Sequence, residues 1–142
     1  MLMLSKKVEY ALMALLHMDQ ADSSQVVSSK ELAETYDLPV DLMGKLMQSL
    51  ARQGFIEAIH GAKGGYRAKR LLEGISLGEV IEAIEGPVHL VKCQTESGEC
   101  THFPACSVRD PILKIHARLQ TFIHGISLSA LKHESAGVAA GE

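Results

Sequence analysis

The apolar positions of this chain recur mostly at helical spacing. From Ser5 to about Met18, residues Val8, Leu12, Leu15 and Leu16 lie three or four apart with Ala11 in the same stripe, which predicts a first helix. A polar connection over 19–27 turns apolar at Val26 and Val27. Ser28 then opens a second helix with a capping-box pattern, its hydroxyl accepting from the backbone three residues on while Glu31 reaches back. Leu32, Ala33 and Tyr36 give that helix an inner face. Asp37-Leu38-Pro39 ends it, because a residue before proline is pushed out of the helical region. A third helix is predicted from Val40 to Gln53, with Leu42, Met43, Leu46, Met47 and Leu50 inward and Gly54 as its stop. Two helices joined by a tight turn, with the first helix packed across both, form a helix-turn-helix. Its second member turns Asp41, Gly44, Lys45, Gln48 and Arg52 outward.

The period then changes. Phe55 to Ile59 alternates and carries β-branched residues, which predicts a strand. The glycine-rich stretch His60-Gly61-Ala62-Lys63-Gly64-Gly65 is a turn, and Tyr66 to Lys69 is the returning strand. A hairpin directly after a helix-turn-helix is a wing, and Tyr66 is expected to pack beneath it. Ser76 and Glu79 form a second capping box, opening a helix with Val80, Ile81 and Ile84 inward and Gly86-Pro87 as its end. Asp110 and Pro111 suit the N-cap and first position of a long helix. Ile112, Ile115, Leu119, Phe122 and Ile126 follow as one seam of the kind that joins helices along their length. Gly125 breaks that helix, Ser127 caps a short one through Leu131, and 133–142 reads as a small, polar, frayed tail. The fold class is therefore mainly α with a small β-hairpin wing. Its parts are a winged helix-turn-helix head over 1–87, a cysteine loop over 88–107, a dimerisation helix and short helix over 108–131, and a tail over 132–142.

Composition narrows the picture. At 142 residues and 15.4 kDa the chain is one domain with an appended helix. Apolar residues make up 46% but aromatics only 4%, with no Trp, so the core must be built from Leu, Ile, Val, Met and Ala. No apolar run is long enough to span a bilayer. The early lysines and the Glu9–Tyr10 pair argue against a secretory signal, so the chain is expected in the cytoplasm with reduced thiols. A net charge of −3 gives no global attraction to nucleic acid. Between His60 and Arg70, however, Lys63, Arg67, Lys69 and Arg70 occur without an acid, and that is a local positive patch.

The candidate chemistry lies in Cys93 to Cys106, CQTESGECTHFPAC, where all three cysteines fall within fourteen residues. Gly98, Thr101, His102 and Pro104 between them are loop formers. Thiolates are soft anionic ligands, and three on one loop can converge on one metal centre. An odd count argues against a disulfide framework. Gaps of six and five residues suit zinc poorly, since zinc favours closely spaced ligand pairs. An iron–sulfur cluster fits better, with a cluster-free thiol redox switch as the alternative. No nucleotide loop, nucleophile–base pairing or catalytic metal motif marks an enzyme.

SKKVEYAL at the start, ELAETYDLP before the third helix, the wing HGAKGGY, ISLGEVIEAIEGPV, the three-cysteine loop and TFIHGISLSAL occur in one order. Together they resemble the Rrf family of bacterial winged-helix transcriptional regulators, whose best-known types are IscR and NsrR. The resemblance runs from about Leu4 to Leu131. It implies a homodimer whose long helices cross at the interface. It also implies an iron–sulfur cluster, of two or four irons, on Cys93, Cys100 and Cys106, whose state sets affinity for promoter DNA. Sensing of redox state, nitric oxide or iron, and action as a repressor, follow from the same likeness. Two positions depart from the IscR type: the first cysteine gap is one residue longer, and Arg109 stands where the fourth ligand would be a histidine. In NsrR-like members an acidic residue of the first helix reaches the cluster from the other subunit. Glu9 matches that position here, and His102 inside the loop is the other candidate.

The expected partner is double-stranded DNA bearing a pseudo-palindromic site. The residues expected to face it are Ser28, Lys30, Val40, Asp41, Gly44, Lys45, Gln48, His60, Lys63, Gly64, Gly65 and Arg67. Gly44 stands where IscR-type proteins place a glutamate.

Overall fold

The computed structural model describes residues 3–20, 24–91 and 105–132. Its elements follow in the order α1 (Lys6–Gln20), α2 (Ser29–Tyr36), α3 (Val40–Arg52), β1 (Ile56–Ile59), β2 (Gly65–Ala68), a 3-10 turn (Leu72–Gly74), α4 (Leu77–Glu85) and α5 (Arg109–His124). Residues 128–132 are again helical. Cys93, Cys100 and His102, and the tail expected over 133–142, lie outside the described residues.

The head forms around one apolar cluster. α1 contributes Ala11, Ala14, Leu15 and Met18, α2 gives Leu32 and Ala33, and α3 gives Met43, Leu46, Met47 and Leu50. Phe55, Ile56, Leu72, Ile75, Val80 and Leu128 close it. Apart from Phe55 it is aliphatic or Met, as the composition requires. Each fully buried Leu or Met stabilises the fold by roughly 1.5–3 kcal/mol relative to exposure, so the α3 stripe alone fixes that helix firmly against α1.

Helix ends are set by side chains and by backbone. Ser28 Oγ accepts from the Glu31 N–H at 3.0 Å, the hydroxyl half of the expected box. At α4 both halves form: Ser76 Oγ accepts from the Glu79 N–H at 3.1 Å, and Glu79 accepts from the Ser76 N–H at 2.8 Å. Asp37, at φ 53°, ends α2 in the left-handed region, and the Leu38 N–H donates back to Ala33 O at 2.8 Å. α3 ends at Gly54 with φ 86°, where the Gly54 N–H donates to Ala51 O and the Phe55 N–H to Leu50 O, each at 3.1 Å. That bond pair is a Schellman closure, and it turns the chain straight into the hairpin.

β1 and β2 pair antiparallel in the register Ile56↔Ala68, Glu57↔Arg67, Ala58↔Tyr66 and Ile59↔Gly65. The hairpin is tied to the head by an isolated bridge: Val27 N–H to Tyr66 O and Tyr66 N–H to Val27 O, both 2.8 Å. Tyr66 packs half-buried against the main core, as expected. A Cβ on Gly65 would lie 2.8 Å from Val27 O and 2.9 Å from Val26 Cγ1, so only glycine lets this strand approach so closely.

α5 departs from expectation in two ways. It begins at Arg109, with Val108 at the N-cap and no side-chain cap, rather than with Asp110 capping and Pro111 first. Pro111 is tolerated two positions further in because the first four helical N–H groups have no intrahelical acceptor. The expected single seam also divides. Leu119 and Ile123 pack on Val8 and Ile81 of the head. Val108, Ile115 and Phe122 are 59%, 53% and 65% exposed and recur every seven residues. The far end of α5 is stitched to the head: Leu77 N–H donates to Ile126 O at 2.8 Å, and Leu128 N–H to Ile75 O at 2.9 Å. His124 Nε2 lies 3.1 Å from Glu82 Oε1. Among the described residues no helix is long and apolar enough to cross a membrane.

Candidate nucleic-acid interface and cysteine segment

Burying Met43, Leu46, Met47 and Leu50 turns the opposite side of α3 to solvent. Val40, Asp41, Lys45, Gln48 and Arg52 are exposed there, and Gly44 is partly exposed among them. Lys45 and Gln48 offer donors to phosphates or base edges, while Asp41 accepts. α2 contributes Lys30, whose ammonium lies 4.0 Å from Glu34 and stays 77% exposed. Ser28 is committed to capping α2.

The wing carries His60 and Lys63 exposed at its tip. Gly64 closes the tip turn through its N–H to Gly61 O at 3.0 Å. Gly65 is spent on the approach to Val27. The basic patch is thinner than its residue count suggests. Arg67 donates from Nε to Glu57 Oε1 at 2.8 Å, and its terminal nitrogen lies 2.5 Å from the same oxygen. Arg70 donates to Gly74 O and to Glu79 Oε1 at 3.2 Å, and its guanidinium lies 5.4 Å from the Phe55 ring centre. Two of the four cations are therefore compensated within the fold, leaving Lys63 and Lys69 exposed and unpaired among the described residues. Sequence reasoning missed Glu57. The turn expected over 60–65 would have set Ala58 opposite Arg67; the turn closes at 60–64, which pairs Ile59 with Gly65 and so Glu57 with Arg67.

The Glu79 carboxyl is held below its ordinary range, first by the Ser76 N–H and then by Arg70, with partial burial opposing them. It thus anchors Arg70 at the wing base to the start of α4.

Of the expected ligands, Cys106 lies half-buried three residues before α5. Glu9 sits in the first turn of α1, 2.9 Å from Lys6 Nζ with its side chain 43% exposed. That carboxylate raises the Lys6 pKa by hydrogen bonding and by charge. Among the described residues no group of three or more His, Cys, Asp or Glu side chains converges as a metal site. The fit of a cluster therefore rests on the chemistry of the donor set, three thiols on one short segment, and that set suits iron–sulfur ligation.

A sequence model of the Rrf2 family, described as an iron-dependent transcriptional regulator, matches residues 4–134. Solved structures share the architecture. CymR (YrzC), the global cysteine regulator of B. subtilis, is 23% identical over 92% of this chain and 96% of its own, with a TM-score of 0.68. The oxidised form of Staphylococcus aureus CymR is 22% identical over 92% and 95%, with a TM-score of 0.66. T. potens IscR is 23% identical over 94% and 88%, with a TM-score of 0.69. At these identities the likeness to each structure is one of fold: a mostly helical winged-helix chain with a two-stranded hairpin.

Proposed function

We propose, from the premise that this chain belongs to the Rrf2 family of transcriptional regulators, that it is a homodimeric repressor whose affinity for promoter DNA is set by an iron–sulfur cluster on Cys93, Cys100 and Cys106. The observation that carries the cluster is the placement of three thiols within fourteen residues, on a segment that runs directly into α5. The dimer is supported by Val108, Ile115 and Phe122, an exposed apolar stripe at seven-residue spacing. Two copies of α3, related by a two-fold axis, would enter successive major grooves of a pseudo-palindromic site, with Lys63 and Lys69 of each wing along the phosphates.

Cys93, Cys100 and Cys106 would hold the cluster through their thiolates, and the cluster would supply redox-labile iron–sulfur linkages there. The chain's own part is mechanical. Cys106 lies three residues before Arg109, while the other end of α5 is held by the Ile126 and Leu128 backbone bonds. Sixteen helical residues span about 24 Å, so a tilt of about 5° about the held end moves the Cys106 end by about 2 Å. That displacement re-aims one head against the other, and a coupling of about 1–3 kcal/mol is enough to switch occupancy of a site. Glu9 of the partner subunit, or His102, would complete the ligand set. Glu9 is weakly tethered, since solvent screens an exposed pair such as Lys6–Glu9.

The test is the absorption spectrum of protein purified without oxygen, with iron and acid-labile sulfide counted per chain, followed by operator affinity of holo and apo forms. Iron and sulfide in comparable amounts, and an affinity that changes on cluster loss in the wild type but not in Cys100→Ala, are expected. Colourless protein that also resists anaerobic reconstitution would remove the cluster. A second reading, a cluster-free thiol switch, draws on the likeness to the oxidised form of S. aureus CymR. It predicts iron-free protein whose DNA binding responds to peroxide and loses that response in Cys106→Ser.

A further inference from the structure

Gly44 has no internal reason to be glycine. It lies in the middle of α3, where glycine is among the least favourable residues because it leaves the most backbone freedom to be lost. Its backbone is not among the positive-φ positions. A Cβ built on it would meet nothing within 4 Å. The contrast with other glycines is direct. At Gly65 an added Cβ would meet Val27 O at 2.8 Å, and at Gly78 the His124 ring at 2.7 Å. In those places the fold itself excludes a side chain. At Gly44 the described fold leaves the space open and accepts a less stable helix.

The position explains what the open space faces. Val40, Asp41, Gly44, Lys45 and Gln48 share the outward side of α3, at three- and four-residue intervals opposite the buried Met43, Leu46, Met47 and Leu50. Gly44 is therefore a notch in the centre of that side. Its neighbour one turn earlier is Val40, 51% exposed and carrying no hydrogen-bonding group. Asp41, Lys45 and Gln48 supply polar groups around it.

We infer that the Gly44 notch admits the edge of a base pair against the helix backbone, and that it reads a methyl-bearing base, thymine, through the Val40–Gly44 surface. This rests on the DNA-binding reading above and adds the specificity it would have. The thymine C5 methyl is the one apolar group in the major groove, and apolar contact is how side chains select it. A bare Cα beside an exposed Val provides a carbon-lined recess for it, and polar contacts by Lys45 or Gln48 fix the register beside it. A Cβ at position 44 keeps α3 folded and holds the duplex off.

The experiment starts from a random duplex library enriched on the full-length protein purified without oxygen. Gly44→Ala and Gly44→Leu are then compared with the wild type on the selected duplex, and on the same duplex with each thymine replaced in turn by uracil, which lacks the methyl. Both variants are expected to melt about 2–5 °C higher, because Ala and Leu are strong helix formers. Both should bind at least ten-fold more weakly, Leu more than Ala. One thymine per half-site should lose several-fold in wild-type affinity on conversion to uracil and almost nothing in Gly44→Leu. Unchanged affinity in both variants, or a lower melting temperature, overturns the notch and leaves the regulator reading standing. Uracil insensitivity at every position overturns the thymine assignment. A library that yields no enriched duplex removes the regulator reading and the notch with it.

Discussion

Gly65→Ala tests how the wing is held. The new Cβ would lie 2.8 Å from Val27 O and 2.9 Å from both Val27 C and Val26 Cγ1. Two of those atoms are backbone and cannot swing aside as a side-chain tip would. The strand must withdraw, and the bonds that suffer are Val27 N–H to Tyr66 O and Tyr66 N–H to Val27 O. Each contributes about 0.5–1.5 kcal/mol net, so the bridge is worth about 1–3 kcal/mol. Against that, alanine restricts the unfolded chain and returns about 0.4–1 kcal/mol. The steric loss is larger, and the net destabilisation is about 1–2 kcal/mol.

For a chain of this length the melting temperature should fall by roughly 3–8 °C, measured at matched protein concentration. Hydrogen exchange gives the local reading: the Val27 and Tyr66 amides should exchange about ten-fold faster, while those of α1 and α3 change only by the global loss. Gly74→Ala is the control, because a Cβ there meets nothing within 4 Å and its φ is not positive. A Gly65→Ala protein that melts at or above the wild-type temperature with both amides still protected would refute the argument.

Three further perturbations separate other contacts. Gly78→Ala should stabilise α4 in a His124→Ala background but not in the wild type, where the Cβ meets the ring that contacts Glu82; additive effects in thermal melts would show that the ring is not seated there. Glu79→Gln should flatten the acid limb of stability. The folded carboxyl is lowered from 4.5, so its contribution is present above that pH and is lost as pH falls through the lowered value; identical acid limbs for wild type and variant would remove Glu79 from the α4 cap. Glu57→Gln releases Arg67 from its cross-strand partner and should strengthen DNA binding at low salt while steepening the log K against log salt slope by about one. An unchanged slope would mean that this side of the wing does not meet phosphate.

What the amino-acid pattern reveals about this fold depends on whether a contact is local. α2, α3 and α4 were legible because each has one apolar stripe facing one core, and because Ser28, Gly54 and Ser76 fix their ends through bonds spanning only a few residues. α5 was less legible for a physical reason. Periodicity gives the angle of each apolar residue around the helix but not the body that covers it. Leu119 therefore read as part of one seam with Ile115 and Phe122, although it faces Val8 and Ile81 while those two stay exposed. Its start was missed by two residues because Asp110-Pro111 can serve as N-cap and first position or as second and third, in a first turn whose N–H groups lack intrahelical acceptors.

The candidate site divides along the same line. The outward residues of α3 follow from its stripe by subtraction. The charge of the wing does not, because a window along the chain from His60 to Arg70 contains four cations and no acid, whereas the hairpin brings Glu57 against Arg67 and the α4 cap brings Glu79 against Arg70. Both acids lie outside the window and inside the fold. The pairings change what the wing can offer a phosphate backbone, from four positive charges to the two lysines, Lys63 and Lys69, that keep no partner among the described residues. A weaker wing places more of the affinity on α3, where Lys45 and Arg52 stand exposed beside the polar reach of Gln48. Removing Lys45 should therefore weaken binding more than removing Lys63.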